Sequence, residues 1–134
     1  GAAALITSVT VEIAPGELID KITILEIKMQ RITDEAKLQN VRTEWTVLTK
    51  SRDANLPRSA ELEALTTELK KVNEKLWIIE DDIRNYERQK DFSNEFIRLA
   101  RAVYFNNDDR ARLKRSINEL LGSPLIEEKS YATY

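Results

Sequence analysis

Five stretches of the chain carry apolar residues at the three- and four-residue spacings that are typical of amphipathic helices. The longest begins near Ser59 and ends near Lys90, and its spacing alternates between three and four without a gap. An apolar seam sustained for more than three heptads is typical of a coiled coil. Eight residues form this seam: Leu62, Leu65, Leu69, Val72, Leu76, Ile79, Ile83 and Tyr86.

Two helices are predicted before the seam. The first begins at Pro15, a residue tolerated in the first helical turn, and its apolar residues occupy more than one side. We therefore expect this helix to be buried. The apolar register then slips at Thr33 and Asp34, and either side chain can cap a second helix that ends near Asp53.

Two more helices are predicted after the seam. Ser93 is a good N-cap for a helix that is almost wholly apolar as far as Phe105, so we expect most of that helix to be buried. Residues 106–109 have the sequence Asn-Asn-Asp-Asp, which predicts a turn and a cap for a last helix. Gly122 followed by Pro124 is a common helix stop.

These elements predict an all-α, elongated single domain. A helix of residues 59–90 would be about 48 Å long, whereas a sphere of this many residues would be only about 36 Å across. Val9, Val11 and Ile13 alternate with polar residues, so we expect a strand-like arm that can pair with the same arm of a second copy in a homodimer. Within residues 1–134 we distinguish an N-terminal arm (1–13), a long antiparallel, coiled-coil-like helical hairpin (15–90), a C-terminal helix pair (93–122) and a tail (123–134).

The composition excludes several kinds of chemistry. The 134 residues include no Cys and no His, and 21 Lys and Arg are balanced by 23 Asp and Glu. Without thiol or imidazole groups there can be no disulfide, no Cys or His metal site, and no Cys–His or Ser–His nucleophile. We therefore predict no catalytic residue, no metal and no cofactor, and we favour a protein that is not an enzyme.

The overall charge and hydropathy also narrow the range of partners. A net charge of −2 disfavours nucleic acid as a partner, because nucleic-acid binders are usually strongly basic. No apolar run approaches the roughly 18–20 residues that cross a bilayer, and residues 1–6 lack the basic leader and full apolar core of a signal peptide. We expect a cytoplasmic protein.

The charges are unevenly spread, since residues 84–115 hold nine Lys and Arg against five Asp and Glu. One interpretation is a site for a small phosphorylated or carboxylate ligand, which the planar fork of arginine suits. The other is that Arg98 and Arg101 pair internally with the acidic run Glu80, Asp81 and Asp82, and we favour this pairing because clustered charges are more often structural. The basic stripe of the last helix is otherwise interpreted as a solvated face. The candidate ligand-binding residues are Arg98, Arg101, Tyr104, Arg110 and Lys114.

The long helix carries two further candidate features. Its three consecutive carboxylates are spread over about 200° of the helix, so they cannot converge on one Mg²⁺ or Ca²⁺ ion. Beside the seam lies a polar face that includes a tryptophan, and an exposed tryptophan usually means that something covers it. We favour the C-terminal helix pair folding back over it; the alternatives are a partner protein or an aromatic ligand. The candidate interaction residues are Asn73, Trp77, Glu80 and Arg84.

Two resemblances to known families bear on function. Residues 17–22 resemble the start of the first helix of the helical chorismate mutases, but no arginine lies among the apolar positions of this helix. The segments at residues 15–28, 36–41, 72–77, 79–81, 100–104, 107–108 and 127–131 together resemble a bacterial family known only as a domain of unknown function. Its members are found beside or fused to sugar-transfer and repeat proteins. The resemblance implies a bacterial, cytoplasmic protein in a surface-polysaccharide context, and it assigns no activity, cofactor or catalytic residue.

The sequence therefore favours a non-catalytic helical interaction or scaffold module. The unbroken seam and Trp77 point to a homodimer or a protein partner. The alternative is a binder of, or an enzyme acting on, a small anionic ligand held by the C-terminal arginines.

Overall fold

The structure is a computed structural model that describes residues 8–133. This part of the chain contains four helices and no strand, so the predicted all-α fold is confirmed. Residues 1–7 of the predicted arm lie outside the described residues, and residues 8–14 are neither helical nor extended in a sheet. The helices are α1 (Pro15–Arg31), α2 (Glu35–Asn55), α3 (Ala60–Arg88) and α4 (Asn94–Leu120).

Helix α1 lies at the centre and packs against each of the other three helices. This position follows from its sequence, because an apolar stripe that covers more than one side of a helix has to be covered from more than one direction. The prediction that α1 is buried is confirmed. Its buried apolar residues are Leu18, Ile19, Ile22, Leu25 and Ile27.

Helix α2 folds back along α1 after a short break. The break falls where the register slips, and Asp34 caps α2 by accepting a hydrogen bond from the backbone N–H of Ala36 at 3.0 Å. Leu38 and Val41 are buried against α1, while the backbone of α2 makes no close approach to α3 or α4. Glu26 of α1 connects α2 and α3 across this gap, since it accepts a hydrogen bond from Trp45 of α2 and pairs with Lys70 of α3.

Helices α3 and α4 pack side by side and antiparallel. At 29 residues, α3 is about 43 Å long, which fits the elongated shape predicted from the seam. Ser59 caps α3 by accepting a hydrogen bond from the N–H of Leu62. The core that joins this pair to α1 consists of Ile19, Leu62, Leu69, Leu113 and Ile117.

The predicted C-terminal helix pair is wrong, because α4 runs without a break through residues 106–109. These Asn and Asp residues have low helix propensity, but tertiary contacts override so weak a preference. The side chain of Asn106 donates to the carbonyl of Ala102 at 2.8 Å, and Asp109 pairs with Arg112 one turn later. Both polar side chains are therefore satisfied on the helix itself. The predicted stop is confirmed, since α4 ends at Leu120 and Gly122 takes a positive φ of 64°.

The expectation that the first half of α4 is mostly buried is also wrong. Of its apolar residues only Leu99 is buried, whereas Ile97, Tyr104 and Phe105 are at least 40% exposed. The hydrogen bonds and ion pairs between α4 and α1, at Arg110, Lys114 and Asn118, all lie in the second half of α4. These contacts leave the apolar residues of its first half partly exposed.

The closest approach between α1 and α4 occurs at Gly16. The N–H of Gly16 donates to the side-chain oxygen of Asn118 at 2.7 Å. A Cβ atom at Gly16 would lie only 2.3 Å from the carbonyl oxygen of Lys114. Because that atom belongs to the helix backbone, it cannot move aside without displacing α4.

We therefore expect Gly16→Ala to lower the free energy of unfolding by about 3 kcal/mol, the cost of overpacking at a backbone contact. Gly122→Ala is the matched control. Nothing lies within 4 Å of a Cβ there, so the cost is only the roughly 1 kcal/mol of the left-handed conformation. Urea denaturation followed by circular dichroism measures both, and a Gly16→Ala variant no less stable than Gly122→Ala would contradict the close approach.

Candidate functional site

The most buried charge in the described chain is the carboxylate of Asp20, whose residue is 0% exposed. Arg110 of α4 donates to it from Nε at 2.9 Å and from Nη2 to the second oxygen. Asn73 of α3 donates to the same carboxylate at 2.9 Å and to the Thr23 hydroxyl at 3.0 Å. Thr23 in turn donates to the carbonyl of Asp20. One carboxylate thus joins three helices, and its bidentate pairing with Arg110 raises the pKa of that guanidinium.

A second cluster of charges, centred on the buried ammonium group of Lys114, lies one turn further along α4. The ammonium group of Lys114 is within 2.7 Å of carboxylate oxygens of both Glu17 on α1 and Glu127 in the tail. Burial acts to lower the pKa of Lys114, but the hydrogen bonds to Glu127 and Glu17 outweigh it, so the pKa is raised. The tail is therefore held against the α1–α4 contact.

These contacts share one stripe of α4. Arg110, Lys114 and Asn118 follow at intervals of four residues, so they lie on one face of the helix. They meet Asp20, Glu17 and Gly16 of α1 in turn. The expectation that the basic stripe of the last helix is a solvated face is wrong, because half of that stripe is the polar seam by which α4 packs on α1.

A cleft of about 510 Å³ opens beside this network, between α1, α3 and α4. Ile24, Ile27 and Leu76 form an apolar floor, and the indole of Trp77 forms a half-buried wall. Charged and amide groups surround this apolar surface. We call this feature the Trp77 cleft, and its polar lining consists of Asn73, Glu80, Asp81, Arg84, Asn107 and Arg110.

The charges around the Trp77 cleft are mostly compensated. Arg110 is neutralised by Asp20, and Glu80 pairs with Arg84 one turn away at 3.3 Å. Asp81 is exposed and has no cation within ion-pair distance among the described residues. The cleft therefore presents apolar surface with a small excess of negative charge at its rim.

The four predicted interaction residues all line this cleft. Trp77, Glu80 and Arg84 lie at its wall and rim, where a ligand could reach them. Asn73 is buried, and both of its hydrogen bonds run to Asp20 and Thr23. Asn73 therefore supports the floor of the cleft.

The five predicted ligand-binding residues are not brought together. Arg98, Arg101 and Tyr104 line neither the Trp77 cleft nor a second cavity that lies between α2 and α3. Arg101 donates to the hydroxyl of Tyr104 at 3.3 Å and lies over the ring of Phe105. Arg110 and Lys114 are occupied by internal carboxylates, as described above. No shared anion site results from this arrangement.

The predicted pairing of Arg98 and Arg101 with the acidic run is also wrong. Arg98 pairs with Glu95 on its own helix, one turn earlier, because a partner three residues away is always within reach. Glu80 likewise takes Arg84. Asp82 is near enough to Arg98 to contribute to the raised pKa of that guanidinium, after the larger effect of Glu95.

Sequence reasoning missed Asp20, Thr23, Asn107 and Asn118. Asp20 lies near the N-terminus of α1, where the helix dipole alone already favours a carboxylate. Its flanking residues Ile19 and Ile22 carried a usable signal, since a carboxylate inside an apolar stripe has to find a buried partner. Asn107 was assigned to a turn, and nothing in its immediate sequence indicates that it lines a cleft.

A second cavity of about 510 Å³ lies on the other side of α1, between α2 and α3. Ile19, Ile22 and Leu62 lie at its base, and Arg52, Asp53 and other polar residues of the α2–α3 connection surround it. Its position follows from the separation of α2 from α3. In the part of the chain that the structure describes, no three acidic side chains are grouped so that they could hold a metal ion. Within residues 8–133, no helix combines the length and the apolar character that crossing a membrane requires.

The fold and the Trp77 cleft define a small all-helical protein that is built around a central helix and carries an aromatic-walled groove. A family model matches residues 9–134, so the chain belongs to DUF6165, a family of unknown function. The resemblance to a domain of unknown function is thereby confirmed, and the family description assigns no activity. No curated protein and no solved structure matches the chain.

The buried network around Asp20 predicts that removal of this carboxylate strongly destabilises the fold. We expect Asp20→Ala to lower the free energy of unfolding by about 3–5 kcal/mol, because it leaves Arg110 half-buried without its partner and Asn73 with an unused donor. Glu35→Ala is the control, since Glu35 is an exposed partner of Arg42 and exposed pairs contribute little. Chemical denaturation measures both variants. Equal effects of the two substitutions would show that the Asp20 network is not structural.

The raised pKa of Lys114 predicts that the protein loses stability at alkaline pH. A raised folded-state pKa contributes stability that is complete below the ordinary lysine value of 10.5 and is lost as the pH rises through the folded value. Lys114→Arg keeps its charge throughout this range. Between about pH 9 and about pH 12, we expect the melting temperature of the wild type to fall further than that of Lys114→Arg. Both proteins contain the same tyrosines, so parallel curves would contradict a contribution from Lys114.

Proposed function

We propose that this protein is a non-catalytic helical interaction module that binds a segment of a partner protein in the Trp77 cleft. The observation that carries the proposal is Trp77 itself, a large aromatic side chain that lies half-buried beside an apolar floor. Aromatic side chains in partly closed apolar clefts are the usual anchors of protein interfaces.

The chemistry of the rim favours a particular kind of segment. The floor suits one apolar side chain inserted between α1 and α3. Asp81 supplies the uncompensated charge at the rim, which favours a Lys or Arg next to the apolar anchor of the partner. We therefore propose an amphipathic segment with an apolar anchor and an adjacent basic residue.

The alternative, a site for a small anionic ligand, receives no support from the arrangement of the charges. The two arginines that line the cleft are both paired with carboxylates, Arg110 with Asp20 and Arg84 with Glu80. A phosphate or carboxylate group entering the cleft would also meet Asp81. The field at the rim is thus of the wrong sign for an anion.

The cellular setting belongs to the same proposal. The family resemblance supports a bacterial, cytoplasmic protein that acts in a surface-polysaccharide context. An interaction module in that setting would recruit or position another protein through the cleft, with no step of chemistry at its own residues.

A phage-displayed library of random short peptides tests the proposal with a defined probe. We expect the wild type to enrich peptides that pair an apolar anchor with a basic residue, and Trp77→Ala to bind those peptides at least tenfold more weakly. Ile78→Ala is the matched control, because Ile78 is the next residue of α3 but is exposed outside the cleft.

A second variant keeps the test independent of any loss of stability in Trp77→Ala. Asn107→Arg places a bulky side chain in the cleft from α4 and removes no core atom. Equal affinity of the enriched peptides for the wild type and Asn107→Arg would overturn the assignment, as would a library that yields no peptide. If the wild type binds a glycan array and Trp77→Ala abolishes that binding, the ligand of the cleft is a carbohydrate and the assignment of a peptide segment is overturned.

A further inference from the structure

Two polar groups that line the Trp77 cleft are unused by the fold. In the part of the chain that the structure describes, neither the indole N–H of Trp77 nor the carboxamide of Asn107 has a hydrogen-bond partner. Both residues are half-buried. Neither group is sealed from solvent, because every buried side-chain nitrogen or oxygen among the described residues has a partner. A ligand in the cleft can therefore reach both.

The two groups stand on opposite sides of the cleft. Asn73 of α3 and Arg110 of α4 donate to the same oxygen of Asp20, so they lie at the same height on the antiparallel pair. Three residues further along each helix, or about 4.5 Å, Asn107 is level with the residue before Trp77. A segment that enters the cleft thus passes between the indole N–H on α3 and the carboxamide on α4.

These groups match the main chain of an extended peptide. A carboxamide presents N–H donors and a carbonyl acceptor side by side, which is the complement of one peptide unit. An extended segment keeps its own N–H and C=O groups available, whereas the interior of a helix pairs them internally. An extended segment can therefore donate an N–H to Asn107 and offer its carbonyl groups to Asn107 and Trp77.

The spacing along α3 agrees with an extended segment. Trp77 and Asp81 are four residues apart, which is about 6 Å along a helix. Two residues of an extended segment span about 6.6 Å, and side chains two positions apart point to the same face. When the apolar anchor lies beside Trp77 and the segment runs along α3, the side chain two positions away reaches Asp81.

We propose that the Trp77 cleft binds its partner as an extended segment, with the main chain held by the Asn107 carboxamide and the Trp77 indole N–H, and with the basic residue two positions from the apolar anchor. This mode of binding rests on the proposed function and adds a role for Asn107. The apolar floor selects the anchor, Asp81 selects the charge, and Asn107 binds the main chain that every sequence shares.

The peptides that the wild type enriches from the phage library supply the probe. Synthetic copies methylated at one backbone nitrogen at a time each lose one N–H donor. We expect one methylated position, within two residues of the anchor, to weaken binding to the wild type about tenfold, the effect of one lost hydrogen bond. Isothermal titration calorimetry measures the affinities.

Asn107→Leu removes the carboxamide with little change in side-chain size. This variant should bind the unmethylated peptide about tenfold more weakly. Methylation at the sensitive position should then cost it less than a further twofold, because the acceptor is already absent. Asn85→Leu is the matched control, since Asn85 is exposed on α3 outside the cleft. Its affinities for both peptides should equal those of the wild type.

The enriched sequences provide a second readout that needs no variant. A basic residue two positions from the anchor supports an extended segment, whereas a spacing of four would show a helical segment and overturn the proposal. Equal losses on methylation in the wild type and in Asn107→Leu would also overturn it. In both cases the peptides would still depend on Trp77, so the proposed function would stand. A library that yields no peptide would instead overturn the proposed function, and this mode of binding with it.

Discussion

One buried carboxylate joins three of the four helices of this fold. Asp20 lies in the middle of the apolar stripe of α1 and takes hydrogen bonds from Arg110 on α4 and Asn73 on α3. An ionised group in such a position is tolerated only if its acceptor capacity is filled. The requirement fixes the rotation of α1 about its own axis and the height of α4 against α3, which the surrounding apolar contacts alone would leave less sharply defined.

The same constraint explains the sites at the surface. With α1 fixed by Asp20, its residues Ile24 and Ile27 form the floor of the Trp77 cleft, one to two turns further along. Gly16, one turn in the other direction, then meets the backbone of α4. The guanidinium of Arg110, which pairs with the Asp20 carboxylate, also borders the cleft, but its charge is already compensated. For this reason the cleft is suited to an apolar anchor better than to an anion.

Much of the local structure could be predicted from the sequence. The break at Asp34, the start of the long helix near Ser59 and the stop at Gly122 depend on neighbouring residues only, and all three predictions are confirmed. The grouping of Trp77, Glu80 and Arg84 also depends on one helix, so the periodicity of α3 was sufficient to place them together. What these residues bind depends on a partner and stays a prediction.

The incorrect predictions all concern contacts between distant segments. The helix through Asn106 and Asn107 persists because α4 is anchored on both sides of them, at Leu99 and at Arg110. The exposure of Ile97 depends on which segments pack beside the first half of α4, which no local pattern encodes. The pairing of Arg110 with Asp20 joins residues 90 positions apart, and composition had only shown that acidic and basic groups were present in matching numbers.

The central claim is that Asp20 and Arg110 act as one unit that fixes α4 on α1. A double-mutant cycle measures this most directly, with Asp20→Ala, Arg110→Ala and the double variant compared by chemical denaturation. The account predicts a coupling free energy of at least about 1.5 kcal/mol, because either single substitution already removes the shared pair. Additive effects within about 0.5 kcal/mol would contradict it.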